Sequence, residues 1–253
     1  MPEALAAALA LPLLPVLIAT FLAGLVYGFA GFGAALVFLP VAAAVIDPVL
    51  AIAAFSLSAM SSLVTLVPRA WGECDKPATL LMIGAATLTL PLGIWLLKIL
   101  DPETVRIAVA VFAALTLAAL VSGLRFTVRP GPMPSVAVAG AAGVMVGATG
   151  LLGPIVILFN LATGDRAGRV RANTLIFLTL SSLIVLPQMA VQGMLEARAL
   201  WLGLLMFPVY GAGGLMGRAL FRPERERSYR VAAYSIIGLA IVTGLPIFDG
   251  LRG

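Results

Sequence analysis

The sequence predicts an all-α integral membrane protein built as two inverted repeats, each a glycine-broken helical hairpin followed by three transmembrane helices. Three observations lead there. The 253 residues are 62% hydrophobic and only 11% charged, with a mean hydropathy of +1.12, far from the roughly half apolar, quarter charged balance of soluble domains. Charge-free stretches of bilayer-spanning length follow one another along the chain. A weak internal repeat divides it near the middle.

The first element is the longest. No charge occurs between Ala4 and Ile46, and a helix through that run, at ~1.5 Å per residue, would be about twice the ~30 Å thickness of the hydrocarbon core. It must break, and Gly24, Gly28, Gly31 and Gly33 lie in its middle. Uncharged runs at 48 to 68, 77 to 97 and 107 to 124 then each fit one span. Turn and charge signals separate them: Asp47-Pro48, the run WGECDK around Gly72, and Asp101-Pro102. A proline-rich break, RFTVRPGPMP from Arg125, ends this half.

The second half follows the same plan. It opens with an overlong segment, uncharged from Pro130 to Gly164, and continues with runs at 172 to 195, 199 to 217 and 231 to 248, the last preceded by FRPERERSYR. An offset of 119 aligns Gly24 with Gly143, Gly28 with Gly147, Gly31 with Gly150, Val37 with Val156 and Leu39 with Leu158. Near 120, Ser61-Ser62-Leu63 aligns with Ser181-Ser182-Leu183, and Gly123-Leu124 with Gly244-Leu245; Pro91 aligns with Pro208 at 117. The expected organisation is a first repeat at 1–124, a loop at 125–134 and a second repeat at 135–253.

Charge decides the topology. If each overlong segment enters and leaves on one side, twelve of the 16 basic residues, Arg69 to Arg230, share a face, leaving Lys98, Arg106, Arg198 and Arg252 on the other. If each crosses once, the split is ten to six. The positive-inside rule favours the hairpins, which give each half an odd number of crossings and so invert the second half, an arrangement found in many secondary transporters.

Two glycine-broken apolar segments in matching positions point to a transporter's substrate site, although glycines also let membrane helices approach closely. At a hairpin tip the backbone leaves the helix and must be covered or line a wet cavity. A short helix starting at Gly31 to Gly33, with Phe32 between them, or at Gly150 to Gly153, with Leu151, would aim unsatisfied N–H groups and a positive dipole end at that cavity. Pro154 suits a first helical turn. The following spans offer Ser58, Ser61, Ser62 and Thr65 on one face, and Thr174, Ser181, Gln188 and Gln192 in a looser stripe. These side chains can donate to an anion or serve interhelical hydrogen bonding. Asn173 joins the candidates, and two roles fit Arg171: a snorkelling anchor, or attraction and gating of the anion.

Other classes of function lose support. The basic residues, net charge +5, sit between apolar segments, so nucleic acid is not an expected partner. One cysteine, Cys74, and no histidine leave no disulfide, no His/Cys metal site and no expected cofactor. No nucleophile with a matching base is present, so an enzyme is not expected. All eleven acids lie at termini or breaks, which removes the carboxylate relay usual in proton coupling. A uniporter needs none, since a negative-inside potential favours anion expulsion by ~2.3 kcal/mol per charge per 100 mV. An anion channel or a structural membrane protein stays open as an alternative, and a homodimer is compatible with the sequence. The N-terminus, MPEALAAALALPLLP, lacks the basic region of a secretory signal, so its apolar residues are expected in the mature protein.

The segments GLVYGFAGFGAALVFLP and GVMVGATGLLGPIVILFNLATG, the latter followed by RVRANTLIFL, resemble the TauE/SafE sulfite exporter family, also called the TSUP family of anion transporters. The similarity covers both halves. It implies a multi-pass protein of a bacterial cytoplasmic membrane that moves sulfite or organosulfonates such as sulfoacetate, a small anionic substrate met within the lipid bilayer. This chain departs from the family pattern at Leu152, where glycine is common, at Ile155, where a second proline is common, and at Asn173, where threonine is common.

Overall fold

The computed structural model describes residues 2–122, 131–151, 153–220 and 226–244; most of the junction at 125–134, Leu152, the start of the FRPERERSYR break, and Gly123, Leu124 and Leu245 of the Gly-Leu match lie outside that set. The first half contains α1 (Pro2–Leu9), α2 (Leu13–Ala30), α3 (Ala34–Ala42), α4 (Pro48–Ala59), α5 (Ser62–Thr65), α6 (Val67–Ala70), α7 (Lys76–Ile99) and α8 (Pro102–Val121). The second contains α9 (Pro132–Thr149), α10 (Pro154–Ala162), α11 (Ala167–Val191), α12 (Ala197–Leu220) and α13 (Glu226–Gly244). Among the described residues, 7 helical stretches are long and apolar enough to cross a membrane, one of them Pro48–Thr65 running through α4 and α5, and the apolar part of α13, Val231–Gly244, is shorter. The chain is an all-α membrane protein.

Both overlong segments break at glycine, each into a long arm and a short one. Arms α2 and α9 have 18 residues and α3 and α10 have 9, or about 27 and about 14 Å of helix. Gly31, Gly33 and Gly150 have φ of 78°, 88° and 72°, a left-handed conformation that costs a residue with a β-carbon roughly 1–2 kcal/mol. Gly153 differs, with φ −89°. The charged breaks start helices as expected. Asp47 accepts from the N–H of Val49 and Leu50 at 2.9 and 3.1 Å, with Pro48 in the first turn. Asp75 accepts from Ala78 N at 3.2 Å, and Asp101 from Thr104 N at 2.8 Å. The Thr104 hydroxyl also donates to Asp101, at 2.6 Å, and these bonds hold the Asp101 carboxyl below its ordinary range.

The run at 48 to 68 is not one continuous helix. It divides into α4, α5 and α6, because Met60, Ser61, Leu63 and Val64 each bond three residues back rather than four, tightening the chain, and Pro68 lacks a donor. Ser58 Oγ and Thr65 Oγ1 turn onto the carbonyls of Phe55 and Ser61. The single polar face expected over Ser58, Ser61, Ser62 and Thr65 is therefore interrupted.

The halves interlock through backbone contact. Helix α7 packs along α9, and α2 along α12. A β-carbon on Gly24 or Gly28 would meet the carbonyls of Tyr210 or Gly214 on α12; one on Gly143 or Gly147 would meet those of Ala86 or Leu90 on α7. Thr89 Oγ1 donates to Gly140 O at 2.7 Å across the second seam. These matched glycines thus serve close helix approach. Exchanging the halves maps the main pairings onto each other: α7–α9 onto α12–α2, α12–α4 onto α7–α11, and α13–α3 onto α8–α10. The exchange extends to two cations at helix ends. Lys98 Nζ, ending α7, donates to Gln192 O at the close of α11 at 3.2 Å, and Arg218 Nη1, ending α12, donates to Thr65 O at the close of α5 at 2.6 Å. Each places positive charge at the negative end of a helix of the other half.

Candidate functional site

The two glycine breaks meet at one cavity. Its wall is formed by Gly33, Ala34, Ala35 and Leu36 from the start of α3, by Leu151, Gly153 and Pro154 at the start of α10, and by Tyr27, Phe55, Ala59, Leu178, Thr179, Ser182 and Tyr210. At about 30 Å³ it holds a water or two. The first intrahelical bonds beyond the breaks are Val37 N to Gly33 O and Ile157 N to Gly153 O. The N–H groups of Ala34, Ala35 and Leu36, and of Ile155 and Val156, thus belong to unsatisfied first turns. Neither N-cap glycine has a side chain to satisfy them. Pro154, at the first position of α10, loses nothing by lacking an N–H.

Hydroxyls and aromatic rings complete the wall. Tyr27 is buried; its hydroxyl donates to Leu175 O at 3.0 Å and lies 2.9 Å from Thr179 Oγ1. The rings of Tyr27 and Tyr210 are 6.1 Å apart, and Tyr210 meets Phe55 edge-on at 5.8 Å. Phe55 in turn stacks on Phe38 at 4.9 Å. Ser182 Oγ donates to Leu178 O at 2.9 Å. Ser62 Oγ stands beside the Tyr210 hydroxyl without a hydrogen bond of normal geometry. Among the lining residues there is no Lys, Arg, Asp or Glu.

Of the residues singled out from the sequence, Gly33, Leu151 and Gly153 border this cavity. Gly31 ends α2, its N–H bonded to Tyr27 O at 2.8 Å, and its β-carbon direction meets the Arg171 stem at 2.5 Å. Phe32, between the two left-handed glycines, is half-buried against the core. Gly150 ends α9 and turns toward Ile52 and Leu39, at 2.8 and 2.9 Å from a would-be β-carbon, which sets the second break against α4 and α3. Ser58 is spent on Phe55 O. Ser61, buried with no partner for Oγ, faces Gly211 of α12. Ser181 Oγ, likewise buried without a partner, lines a separate cavity of about 10 Å³ between α7, α9 and α11, room for one water. Asn173 lies away from the cavity; its Oδ1 accepts from Asp75 N at 2.7 Å and fastens the start of α11 to the loop before α7. Arg171 donates from Nη2 to Gly28 O at 2.6 Å, on the carbonyl end of α2. It therefore caps the carbonyl end of α2 at the first break and is not among the residues that line the cavity.

Sequence reasoning missed Tyr27, Thr179, Ser182 and Tyr210. A signal was available: Val-Tyr-Gly occurs at 26–28 and again at 209–211 inside charge-free runs, using two of the chain's 4 tyrosines, and a tyrosine buried in lipid-depth helices needs a partner for its hydroxyl.

No curated protein and no solved structure matches the chain. A family model described as Sulfite exporter TauE/SafE matches residues 16–244, a span that takes in both glycine breaks and, among the described helices, all but α1 and the first three residues of α2. The chain belongs to the TauE/SafE sulfite exporter family.

Proposed function

We propose that this membrane protein carries a small sulfur oxyanion, sulfite or a short organosulfonate, across a bacterial cytoplasmic membrane through the cavity between its two glycine breaks, outward by default. One observation carries the reading: helix starts from opposite halves of the chain, Gly33–Leu36 and Gly153–Pro154, border the same cavity. An anion leaving water loses hydrogen bonds worth a few kcal/mol each unless they are replaced, and unsatisfied helix-start N–H groups are a ready source. The Tyr210 hydroxyl adds a donor at side-chain range, while the protons of Thr179 and Ser182 already serve Tyr27 Oη and Leu178 O and reach an anion only by leaving those bonds. The aromatic and aliphatic remainder, Phe55, Leu36, Leu151 and Leu178, excludes bulk water, which strengthens each polar contact.

The reciprocal packing of the halves supports a carrier rather than a fixed pore. In this reading repeats 1–124 and 135–253, joined through 125–134, are inverted, and rocking one against the other opens the cavity to either side in turn. The caps at Gln192 and Thr65 would then be contacts that hold or release that motion. Counterflow of labelled sulfite in proteoliposomes tests the proposal. A carrier accumulates label transiently against an unlabelled internal pool, whereas a channel or a structural protein does not.

A further inference from the structure

Resting on that reading of the cavity, we infer that Ser62 is a positioning residue for the anion, acting through Tyr210: the tyrosine hydroxyl is held free to donate to the substrate, and Ser62 donates to the tyrosine oxygen once it does. The two tyrosines of the wall are loaded differently. Tyr27 spends its proton on Leu175 O at 3.0 Å, and its oxygen also meets Thr179 Oγ1 at 2.9 Å. Tyr210 is 1% exposed and lines the cavity, yet its hydroxyl makes no hydrogen bond of normal geometry among the described residues. Its ring is steadied by Phe55, edge-on at 5.8 Å, and by Tyr27 at 6.1 Å, so the hydroxyl is in place before a ligand arrives.

Ser62 repeats the pattern one step behind the wall. It is fully buried, its Oγ has no partner, and it is not among the residues that line the cavity. A serine within a helix can satisfy itself on the carbonyl four residues back, and Ser182, the match of Ser62 in the second half, does so on Leu178 O at 2.9 Å. The first half differs because the chain tightens just there, with Ser61 N bonding Ser58 O at 3.1 Å, three residues back. Helix α5 then packs against α12, and Ser62 Oγ stands beside the Tyr210 hydroxyl instead. A phenol offers one proton and accepts through its lone pairs. With that proton on an anion oxygen, a lone pair remains for Ser62, and in the chain Ser62 to Tyr210 to anion each bond polarises the next. Two buried hydroxyls without partners destabilise the empty protein; one bound anion satisfies both.

Affinity and stability should therefore move apart, which a packing role would not produce. The test measures KM and maximal rate for labelled sulfite in proteoliposomes, and thermal unfolding in sulfite-free detergent, for the full chain, Tyr210→Phe, Ser62→Ala, the two combined, and Ser62→Thr. Ala35→Leu serves as a variant that fills the cavity. Tyr210→Phe should raise KM about tenfold or more, the scale of a hydrogen bond to a charged group, while its unfolding temperature stays level or rises. Ser62→Ala should raise KM about threefold to tenfold, also without loss of stability, and should add nothing in the Tyr210→Phe background, since it acts only through the tyrosine. Ser62→Thr keeps the hydroxyl and should restore KM. A parental KM in Tyr210→Phe overturns the inference. So does a Ser62→Ala effect that persists undiminished without the Tyr210 hydroxyl, or a fall in stability that tracks the loss of affinity. The cavity reading survives those results if Ala35→Leu abolishes uptake, and both fall if an inserted Ala35→Leu protein transports like the parent. The comparison of Tyr210→Phe with the parent decides the inference whether or not Ala35→Leu inserts.

Discussion

Arg171 Nη2 and the carbonyl oxygen of Gly28 are 2.6 Å apart, joining the second turn of α11 to the last turn of α2 and so fastening the second half to the first glycine break. A charged donor on a helix carbonyl end combines a strong hydrogen bond with a favourable dipole contact, together about 1–3 kcal/mol. Arg171→Ala is expected to lower thermal stability by about that amount and to cut transport tenfold or more. High ionic strength should leave the deficit in place. Were the residue acting through long-range attraction, salt would bring parent and variant together. Arg171→Lys should recover part of the loss, since lysine keeps the charge but not the planar fork.

The glycines divide into two groups that substitution will separate. A β-carbon on Gly143 would collide with Ala86 O and Thr89 Oγ1, whereas one on Gly84, within α7, would meet nothing within 4 Å. Gly143→Ala should destabilise the protein by about 1–3 kcal/mol, as overpacking does. Gly84→Ala should be neutral or stabilising by up to about 1 kcal/mol, the helix propensity difference. Thermal unfolding of the two purified variants in one detergent checks the contrast.

Tyr27 sits where the wall and the packing meet. Tyr27→Phe removes the donor to Leu175 O and the partner of Thr179 Oγ1, so stability should fall by about 1 kcal/mol. If the hydroxyl system also orients the anion, KM for sulfite should rise about fivefold, the ratio that ~1 kcal/mol represents. A stability loss with an unchanged KM would make Tyr27 a packing residue only.

Much of this architecture was legible because lipid imposes simple rules on sequence. Charge-free runs marked the spans, Asp47, Asp75 and Asp101 marked helix starts, and the length of the run from Ala4 to Ile46 demanded the break that Gly31 and Gly33 provide. The division of labour among the glycines was not legible, because close approach and a positive φ both select glycine; only the partner helix shows that Gly24 and Gly28 face α12 while Gly33 borders the cavity. The serines were ambiguous in sequence for a related reason. A membrane helix lets Ser58 satisfy itself on Phe55 O, so a hydroxyl at helical spacing does not announce a ligand. Arg171 and Asn173 were drawn toward the site by their sequence neighbourhood, but α11 starts beside α2 and the loop before α7, and both side chains are used in fastening those elements.

The inverted arrangement predicts where the two short arms end. In a Cys74→Ser background, Asp47→Cys and Asp165→Cys, both at exposed positions, should react with a membrane-impermeant thiol reagent from opposite sides of oriented vesicles. Reaction of both from one side would mean that the repeats share an orientation.

The location of the anion is the most direct measurement. Selenite has the shape and charge states of sulfite and carries a selenium atom, whose anomalous scattering in crystals soaked with it marks the bound ion against the protein. The account predicts one strong peak between Gly33 and Gly153, within hydrogen-bond reach of the N–H groups of Ala34 to Leu36 and of Val156, and its disappearance in Ala35→Leu. A peak at Arg171 or beside Ser181, with the cavity between the glycine breaks empty, would contradict it.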